Sequence, residues 1–529
     1  MDQPWEIPQV WKWVEIKSLG EIVSGGTPST KEISYWGNDV NWISPADLTG
    51  YTRKTISRGA KSLSHEGLAK SSAKLMPAGS IHFSSRAPIG YVAISSQPLS
   101  TNQGFKSIVP AQGIFNEYVY YYLKAAKNIA EERASGTTFR EISGSAFGKL
   151  PFPLSALPEQ KKIVSKIEEL FSELDNGVES LKKARQQLKT YRQAVLKYAF
   201  EGKLTQEWRE QQIQAGNPPE PAEKLLECIK KEREAHYQKQ VEEWKKACEQ
   251  AKKDGSKKPA KPRKPKDLPP LTEKELAELP ELPEGWGWVY LGHLTWSVKD
   301  GPHYSPKYLE SGVPFISAGN IKPEGINFNE VKYISKELND ELSKRCKPEL
   351  GDILYTKGGT TGIARVNTYD KEFNVWVHVA VLKTTESIFP FFIQHALNSM
   401  HCYRQSQVFT HGVGNQDLGL TRMIKITLPF CSINEQQAIV SEIETRLSVC
   451  DKLEQTIEDS LKKSEALRQS ILKKAFEGEL TKEWREAHPE LISGENSAES
   501  LLARIREEKE SQRKNSPQRL KGRKGKSNK

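Results

Sequence analysis

Residues 158–210 read PEQKKIVSKIEELFSELDNGVESLKKARQQLKTYRQAVLKYAFEGKLTQEWRE, and residues 434–486 read NEQQAIVSEIETRLSVCDKLEQTIEDSLKKSEALRQSILKKAFEGELTKEWRE. Laid together at a shift of 276 residues and without a gap, about 23 of the 53 positions are identical. An agreement of that length marks an internal duplication. The register continues downstream, where PAEKLLECIKKERE (221–234) lies over SAESLLARIREEKE (497–510). Upstream it decays: Trp11, Trp13 and Val14 still correspond to Trp286, Trp288 and Val289, and GSIHFSSRAPIGYVAI (79–94) resembles GDILYTKGGTTGIARV (351–366) in pattern. Each half is therefore a variable globular segment followed by a similar helical one.

Within the first helical segment Ile167, Leu174, Leu181, Leu188 and Val195 recur every seven residues, with Leu170, Ala184 and Tyr191 as a second row. The second segment carries Ile443, Cys450, Ile457, Ser464 and Ile471, flanked by Leu447, Leu453, Leu461 and Leu467. Such stripes predict helices that bury one seam, at about 63 Å for 42 residues. Periodicity alone fits a plain amphipathic hairpin as well as a docking seam. Two equal units joined by a linker predict a pseudo-two-fold pair. Parallel and antiparallel packing both remain open; antiparallel is favoured because the first helix then ends near the second globular segment.

The globular segments read as mixed structure. SIHFSS, YVAIS, DILYT and VAVLKT, bounded by Gly, Pro and Ser, predict strands, whereas FNEYVYYYLKAAKNIAEERA and FFIQHALNSMHCYRQSQVF predict helices. The expected class is α+β: two mixed α/β domains (1–157 and 283–432) separated by a pair of long coiled-coil helices. Spacers fall at 158–210 and 433–486, a linker at 211–282, and a helix with a basic tail at 487–529. Within the linker a helix is expected from Pro221 to Lys253, then an extended or disordered Lys/Pro stretch.

The 529 residues carry a net charge of +11, but its distribution matters more than its sum. Residues 245–267 and the tail from Ser511 carry +7 and +8, leaving the remainder near −4. Charge thus says little about the folded parts; a solvated basic linker and phosphate contact fit it equally. Six scattered cysteines form no Cys-x-x-Cys pair, which argues against a disulfide framework or zinc ribbon and fits a reducing cytoplasm. The opening MDQPWEIPQVWKWVEIK lacks signal-peptide character, and no apolar run of about 18 residues occurs, so membrane spanning is not expected.

Enzymatic motifs fail on inspection. Asn217-Pro218-Pro219-Glu220 has an acid where an adenine methyltransferase needs a stacking ring, and reads as a turn. Glu201-Gly202-Lys203 suggests a nuclease triplet, but its counterpart Glu477-Gly478-Glu479 lacks the lysine, so a glycine C-cap explains both copies. Gly525-Lys526-Ser527 follows no strand, Gly358 to Gly362 form no nucleotide fingerprint, and His401 beside Cys402 has no metal-ligand spacing. No catalytic set is expected.

The segment from Pro151 to Leu170, followed by QAVLKYAFEGKLT, is similar to the conserved regions of type I restriction-modification specificity subunits. LPEGWGWVYLGHL (282–294) looks like the start of a target-recognition domain of that family, and ELTKEWREAHPELISGENSAESLLARIREEKE resembles the enterobacterial K-type (type IA) members. The resemblance implies a non-catalytic subunit in which each domain reads one half of a split, asymmetric site in double-stranded DNA, while the helices set the gap. It implies two modification subunits carrying S-adenosylmethionine, docked on the helices, and two motor-nuclease subunits using ATP and magnesium. No cofactor is expected on this chain. The helical positions expected to dock partners are Ile167, Leu174, Leu181, Leu188, Val195, Ile443, Ile457, Leu461 and Ile471.

For DNA contact, polar residues at Gly-rich loops are the candidates, because backbone can approach phosphate there. In the first domain these are Ser85, Arg86, Thr101, Asn102, Gln103, Lys106 and Arg140. In the second they are Lys357, Thr360, Thr361, His378, Asn415, Gln416 and Arg422. The competing reading is a repeat-built adaptor that binds other proteins.

Overall fold

The computed structural model describes residues 3–136, 140–262, 264, 267–412 and 416–515, with side chains described as far as Ser511. The chain divides into two compact units. The first combines Met1–Lys182 with Glu458–Lys529, and the second is Lys183–Ile457.

The first unit contains strands β1 (Lys12–Glu15), β2 (Gly20–Ser24), β3 (Trp36–Ile43), β4 (Thr55–Ile56), β5 (Ser62–Leu63), β6 (Ile81–Ser84), β7 (Val92–Ser95), β8 (Ser100–Thr101), β9 (Phe105–Pro110) and β10 (Pro151–Leu154). They form a β1-β10 pair, a five-stranded sheet β2-β9-β6-β7-β4 and a three-stranded sheet β5-β3-β8. Strand β6 is buried along its whole length although apolar Ile81 and Phe83 alternate with polar His82 and Ser84; the buried His82 is met by Ser107 Oγ at 2.9 Å. The aromatic helix Asn116–Ala125 covers this sheet and buries Tyr118 and Tyr122 completely. Tyr118 keeps its hydroxyl satisfied by donating to Pro153 O at 2.8 Å.

The second unit repeats the plan with β11 (Gly287–Tyr290), β12 (Thr295–Asp300), β13 (Val313–Ile316), β14 (Ile321–Lys322), β15 (Gly325–Ile326), β16 (Lys332–Ile334), β17 (Ile353–Thr356), β18 (Ala364–Val366), β19 (Asn374–Val375), β20 (Val379–Thr384) and β21 (Thr427–Phe430). The sheets are β11-β21, β12-β20-β17-β18 and β16-β13-β19, with a β14-β15 ribbon. Pairing polarity repeats too: β3 runs antiparallel to β5 and parallel to β8, as β13 does to β16 and β19. The duplication thus persists in topology where sequence identity has decayed.

Two helices of 44 residues each, Leu157–Phe200 and Ile433–Phe476, carry the repeated helical segments. At 1.5 Å per residue each is about 66 Å long. Both end as predicted, on a left-handed glycine: Gly202 at φ 70° and Gly478 at φ 77°.

Within each unit the two helix segments run antiparallel. In the first, Arg468 lies over the Phe171 ring at 4.5 Å and pairs with Asp175. In the second, Arg192 pairs with Asp451 at 2.6 Å and Glu454 at 3.0 Å. Arg192 and Arg468 are repeat-equivalent, as are Asp175 and Asp451.

The heptad residues are only in part a free seam. Ile167 and Ile471 are buried in the first unit's core with Leu174 packed against it, and Val195 and Ile443 are buried in the second. Ile457 is also buried, whereas Leu181, Leu188 and Leu461 are half-buried. The ends of the stripe therefore serve the domain cores, because each helix end is sheathed by a globular domain.

The linker carries the expected helix. This helix, Ala222–Lys253, buries Ala222 and Ile229 in the second unit's core and stacks His236 on Trp296 at 4.8 Å. The repeat-equivalent Ala498, Leu501 and Ile505 of the helix Ala498–Asn515 are buried in the first unit's core. After the linker helix the chain folds back along it as far as residue 262, with Trp244 Nε1 donating to Pro259 O at 2.9 Å and Lys258 and Lys261 near the Trp244 ring.

Candidate nucleic-acid interface

Each globular domain is fastened by the same buried clasp, built from identical residues of the repeat. In the first unit Glu159, fully buried, accepts from Trp11 Nε1 at 2.7 Å, Arg485 Nε at 2.8 Å and Thr481 Oγ1 at 3.0 Å. In the second, Glu435 accepts from Trp286 Nε1 at 2.9 Å, Arg209 Nη1 at 2.5 Å and Thr205 Oγ1 at 2.8 Å. The neighbouring glutamines work alike: Gln160 and Gln436 accept from the backbone N–H of Phe115 and Phe389 at 2.9 and 3.2 Å. This accounts for the Glu-Gln pair and for the Thr and Arg of the shared Leu-Thr-x-Glu-Trp-Arg-Glu motif: each buried carboxylate is met by an arginine, an indole and a hydroxyl.

Three candidate residues of the first domain, Ser85, Arg86 and Lys106, gather around one carboxylate. Ser85 follows β6, and its Oγ lies 3.4 Å from Glu141 Oε1; Lys106 Nζ lies 3.3 Å from the same oxygen, and Arg86 Nη1 lies 3.4 Å from Oε2. Asn102 Oδ1 accepts from the Gly104 N–H at 2.8 Å and shapes the turn between β8 and β9, where Gln103 bonds Thr27. Ser85, Thr101 and Lys106 are buried, so they hold the loops rather than face solvent. Arg86, Gln103 and Arg140 remain accessible. Arg140 Nη2 donates to Glu131 O at 2.8 Å, and Arg86 and Arg140 line a 550 Å³ recess with Glu131 and Glu141.

The second domain has the corresponding arrangement around Asp417. Lys357 follows β17; it is 1% exposed and its Nζ lies 2.7 Å from Asp417 Oδ1 and 3.4 Å from Asp300 Oδ2. Its chain position predicted DNA contact, but burial between two carboxylates makes it an internal tie. Arg422 is likewise turned inward, donating to Phe409 O at 2.7 Å and Asp417 O at 2.9 Å. Thr361 is buried; Thr360 and Gln416 are exposed and His378 is half-buried. Gly358 allows His378 its approach, since a Cβ there would sit 2.1 Å from His378 Nδ1. Asn415 lies outside the described residues.

The two organising acids, Glu141 and Asp417, were not among the expected residues, although a signal existed. They are repeat-equivalent, and each closes a loop through a bridge, Ser135 with Glu141 and His411 with Asp417. The accessible Arg140 and Gln416 then occupy the same position on the two loops. Aromatic and imidazole groups flank the second loop, where His303, Tyr304, Trp376, His378 and Asp417 line a 350 Å³ recess.

Among the described residues no group of three His, Cys, Asp or Glu side chains is placed to hold a metal, and no helix is long and apolar enough to cross a membrane. Cys402 is fully buried, which pushes its thiol up to about 12.

Comparison with known proteins agrees with the duplicated architecture. The family model described as "Type I restriction modification DNA specificity domain" matches residues 8–189 and 284–463, more than half of the chain. The chain is 41% identical over 181 residues to the type I restriction enzyme MjaIX specificity subunit of Methanocaldococcus jannaschii, a match covering 34% of this chain and 41% of that protein. It is 23% identical over 529 residues to the EcoKI specificity subunit of Escherichia coli, covering 95% and 96% of the two chains. A solved chain from a study titled "Structural basis underlying complex assembly and conformational transition of the type I R-M system" shares the fold, with a TM-score of 0.58 at 17% identity, covering 90% of this chain and all of that one. With both halves matched and the two halves folded alike, the chain belongs to the type I restriction-modification DNA specificity family.

Proposed function

We propose that this chain supplies sequence specificity to a type I restriction-modification complex, each domain reading one half of a bipartite, asymmetric site in double-stranded DNA. The observation that carries this reading is the pair of equivalent loops that present different side chains, Arg140 in one domain and Gln416 in the other. A bidentate Arg suits guanine and a Gln suits adenine, so unlike loops on like scaffolds predict unlike half-sites. Arg86, Gln103, Thr360 and His378 are the further proposed contacts, and Ser85, Thr101, Asn102, Lys106, Lys357, Thr361 and Arg422 support the loops.

The long helices are proposed to set the gap between half-sites and to dock the modification subunits, two per complex, with two motor-nuclease subunits joining them. Large apolar side chains stay exposed on these helices, among them Tyr198, Val449, Leu453 and Leu467. S-adenosylmethionine, ATP and magnesium would be held by those partners in the cytoplasm, and this chain would perform no chemistry.

The test is genome-wide mapping of methylated adenine in the host with and without this gene. Loss of methylation at one split, asymmetric motif is the expected result. An unchanged pattern with the modification gene expressed would refute the reading in favour of a protein-binding adaptor.

A further inference from the structure

The second domain carries a groove of about 930 Å³, bounded by the edge strand β12, the segment 343–349, Lys383 of β20 and Ala260, Lys261, Pro262 and Lys264 beyond the linker helix. Its lining is strongly cationic, and much of that charge is internally matched. Lys383 lies between Glu349 at 2.8 Å and Asp352 at 2.6 Å, Lys347 lies 3.7 Å from Glu349, Arg345 pairs with Asp300 at 2.6 Å, Lys264 with Glu234 at 2.8 Å, and Arg233 with Asp267 at 3.6 Å. Three exposed lining cations are left over. Lys261, Lys299 and Lys344 have no carboxylate within 4 Å among the described residues; Lys261 rests near the Trp244 ring, 5.9 Å from its centroid, which leaves its charge uncompensated.

We infer that this groove is a second, sequence-independent DNA contact: a track for the phosphodiester backbone flanking the half-site read by the second domain. The inference rests on the DNA-reading function proposed above and assigns a role to Lys261 in the basic segment, whose composition alone left solvated linker and phosphate contact equally open. Two observations favour nucleic acid over an acidic protein. The surplus charge sits on flexible lysines, which act as point charges toward phosphate. The groove is also tied to the reading loops through one buried carboxylate, since Asp300 holds Arg345 of the groove and Lys357 of the loop on its two oxygens, at 2.6 and 3.4 Å. Contacts of this kind fix position and add affinity without reading bases.

The experiment compares the full-length chain with a Lys261→Gln, Lys299→Gln, Lys344→Gln variant. Binding to a mixed-sequence duplex, and to a duplex carrying the motif found by methylation mapping, is measured across a salt series. All three lysines are exposed, so circular dichroism and melting should be unchanged. The expected result is weaker binding of both duplexes, an unchanged ratio between them, and a log K against log salt slope smaller by about 2.7, at roughly 0.9 per phosphate contact. An unchanged slope with motif preference intact would overturn the groove and leave the proposed function standing. A changed ratio would overturn it as well, since the groove would then be reading bases. If the wild-type chain shows no motif preference yet its salt slope still depends on these lysines, the proposed function falls and the groove stands.

Discussion

Trp11 donates its indole N–H to Glu159 at 2.7 Å, and the carboxylate that receives it is held from the far side by Arg485, 326 residues further along the chain. The same contact joins Trp286, Glu435 and Arg209 in the second unit. Each clasp ties a domain opening to the start of one long helix and to the motif that follows the end of the other.

Removing either carboxylate should be severe. Glu435→Ala leaves the Arg209 guanidinium, 14% exposed, without its counter-charge, and strips partners from Trp286 and Thr205. The expected cost is about 3–5 kcal/mol. Chemical denaturation of Glu159→Ala and Glu435→Ala would check it. A loss below about 1 kcal/mol, the usual worth of an exposed pair, would mean that the clasp is not a stability element.

The reciprocal ion pairs between the helices should matter far less. Arg192 and Asp451 pair with side-chain exposures of 26% and 68%, so Arg192→Ala is expected to cost about 1 kcal/mol or less. Ile443→Ala, in the buried core, should cost about 2–5 kcal/mol. The ranking of the two variants in one denaturation series is the test.

Lys357 and Gln416 separate holding a loop from reading DNA. Lys357→Met would leave Asp300, 3% exposed on its side chain, and Asp417 with less compensation, so melting temperature and DNA affinity should fall together. Gln416 is exposed, and Gln416→Arg should leave melting unchanged while altering base preference at one position, by about 1–3 kcal/mol for a bidentate pair. Selection of bound sequences from a random pool would reveal the shift. An unaltered preference would remove Gln416 from the interface.

His82 predicts an acid-side instability of the first unit. It is fully buried with its Nδ1 2.9 Å from Ser107 Oγ, and burial holds its pKa at about 3 instead of 6.5. The unfolded state therefore binds the proton more tightly. This contribution is complete above pH 6.5 and is lost as pH falls toward 3, at about 1.4 kcal/mol per pH unit near the middle of that window. His82→Gln should flatten this part of the pH–stability curve, as followed by urea melts. An identical slope in wild type and variant would exclude the histidine as its source.

Much of the architecture was legible in the residues. The 276-residue register, the glycine C-caps at Gly202 and Gly478, and the strands around 81–84, 92–95, 353–356 and 379–384 all follow from local pattern. The candidate interface was legible only by loop: the chain position of Lys357 and of Gln416 is equally suggestive, and burial alone separates them. Glu141 and Asp417 escaped notice because an acid is an unexpected residue beside phosphate, whereas here each anchors basic or polar side chains within the protein.

By itself, the sequence determined that the chain is duplicated, that each copy carries a mixed domain and a long amphipathic helix, and which family its motifs resemble. Only the tertiary structure decided which copy's residues meet. Glu159 could pair as well with Arg209 as with Arg485, because the two arginines stand in matching motifs. Duplication makes those alternatives chemically equivalent at the level of local sequence. The antiparallel packing of the helix segments within each unit breaks the degeneracy, bringing residues 458–511 to the first domain and the Ala222–Lys253 helix to the second.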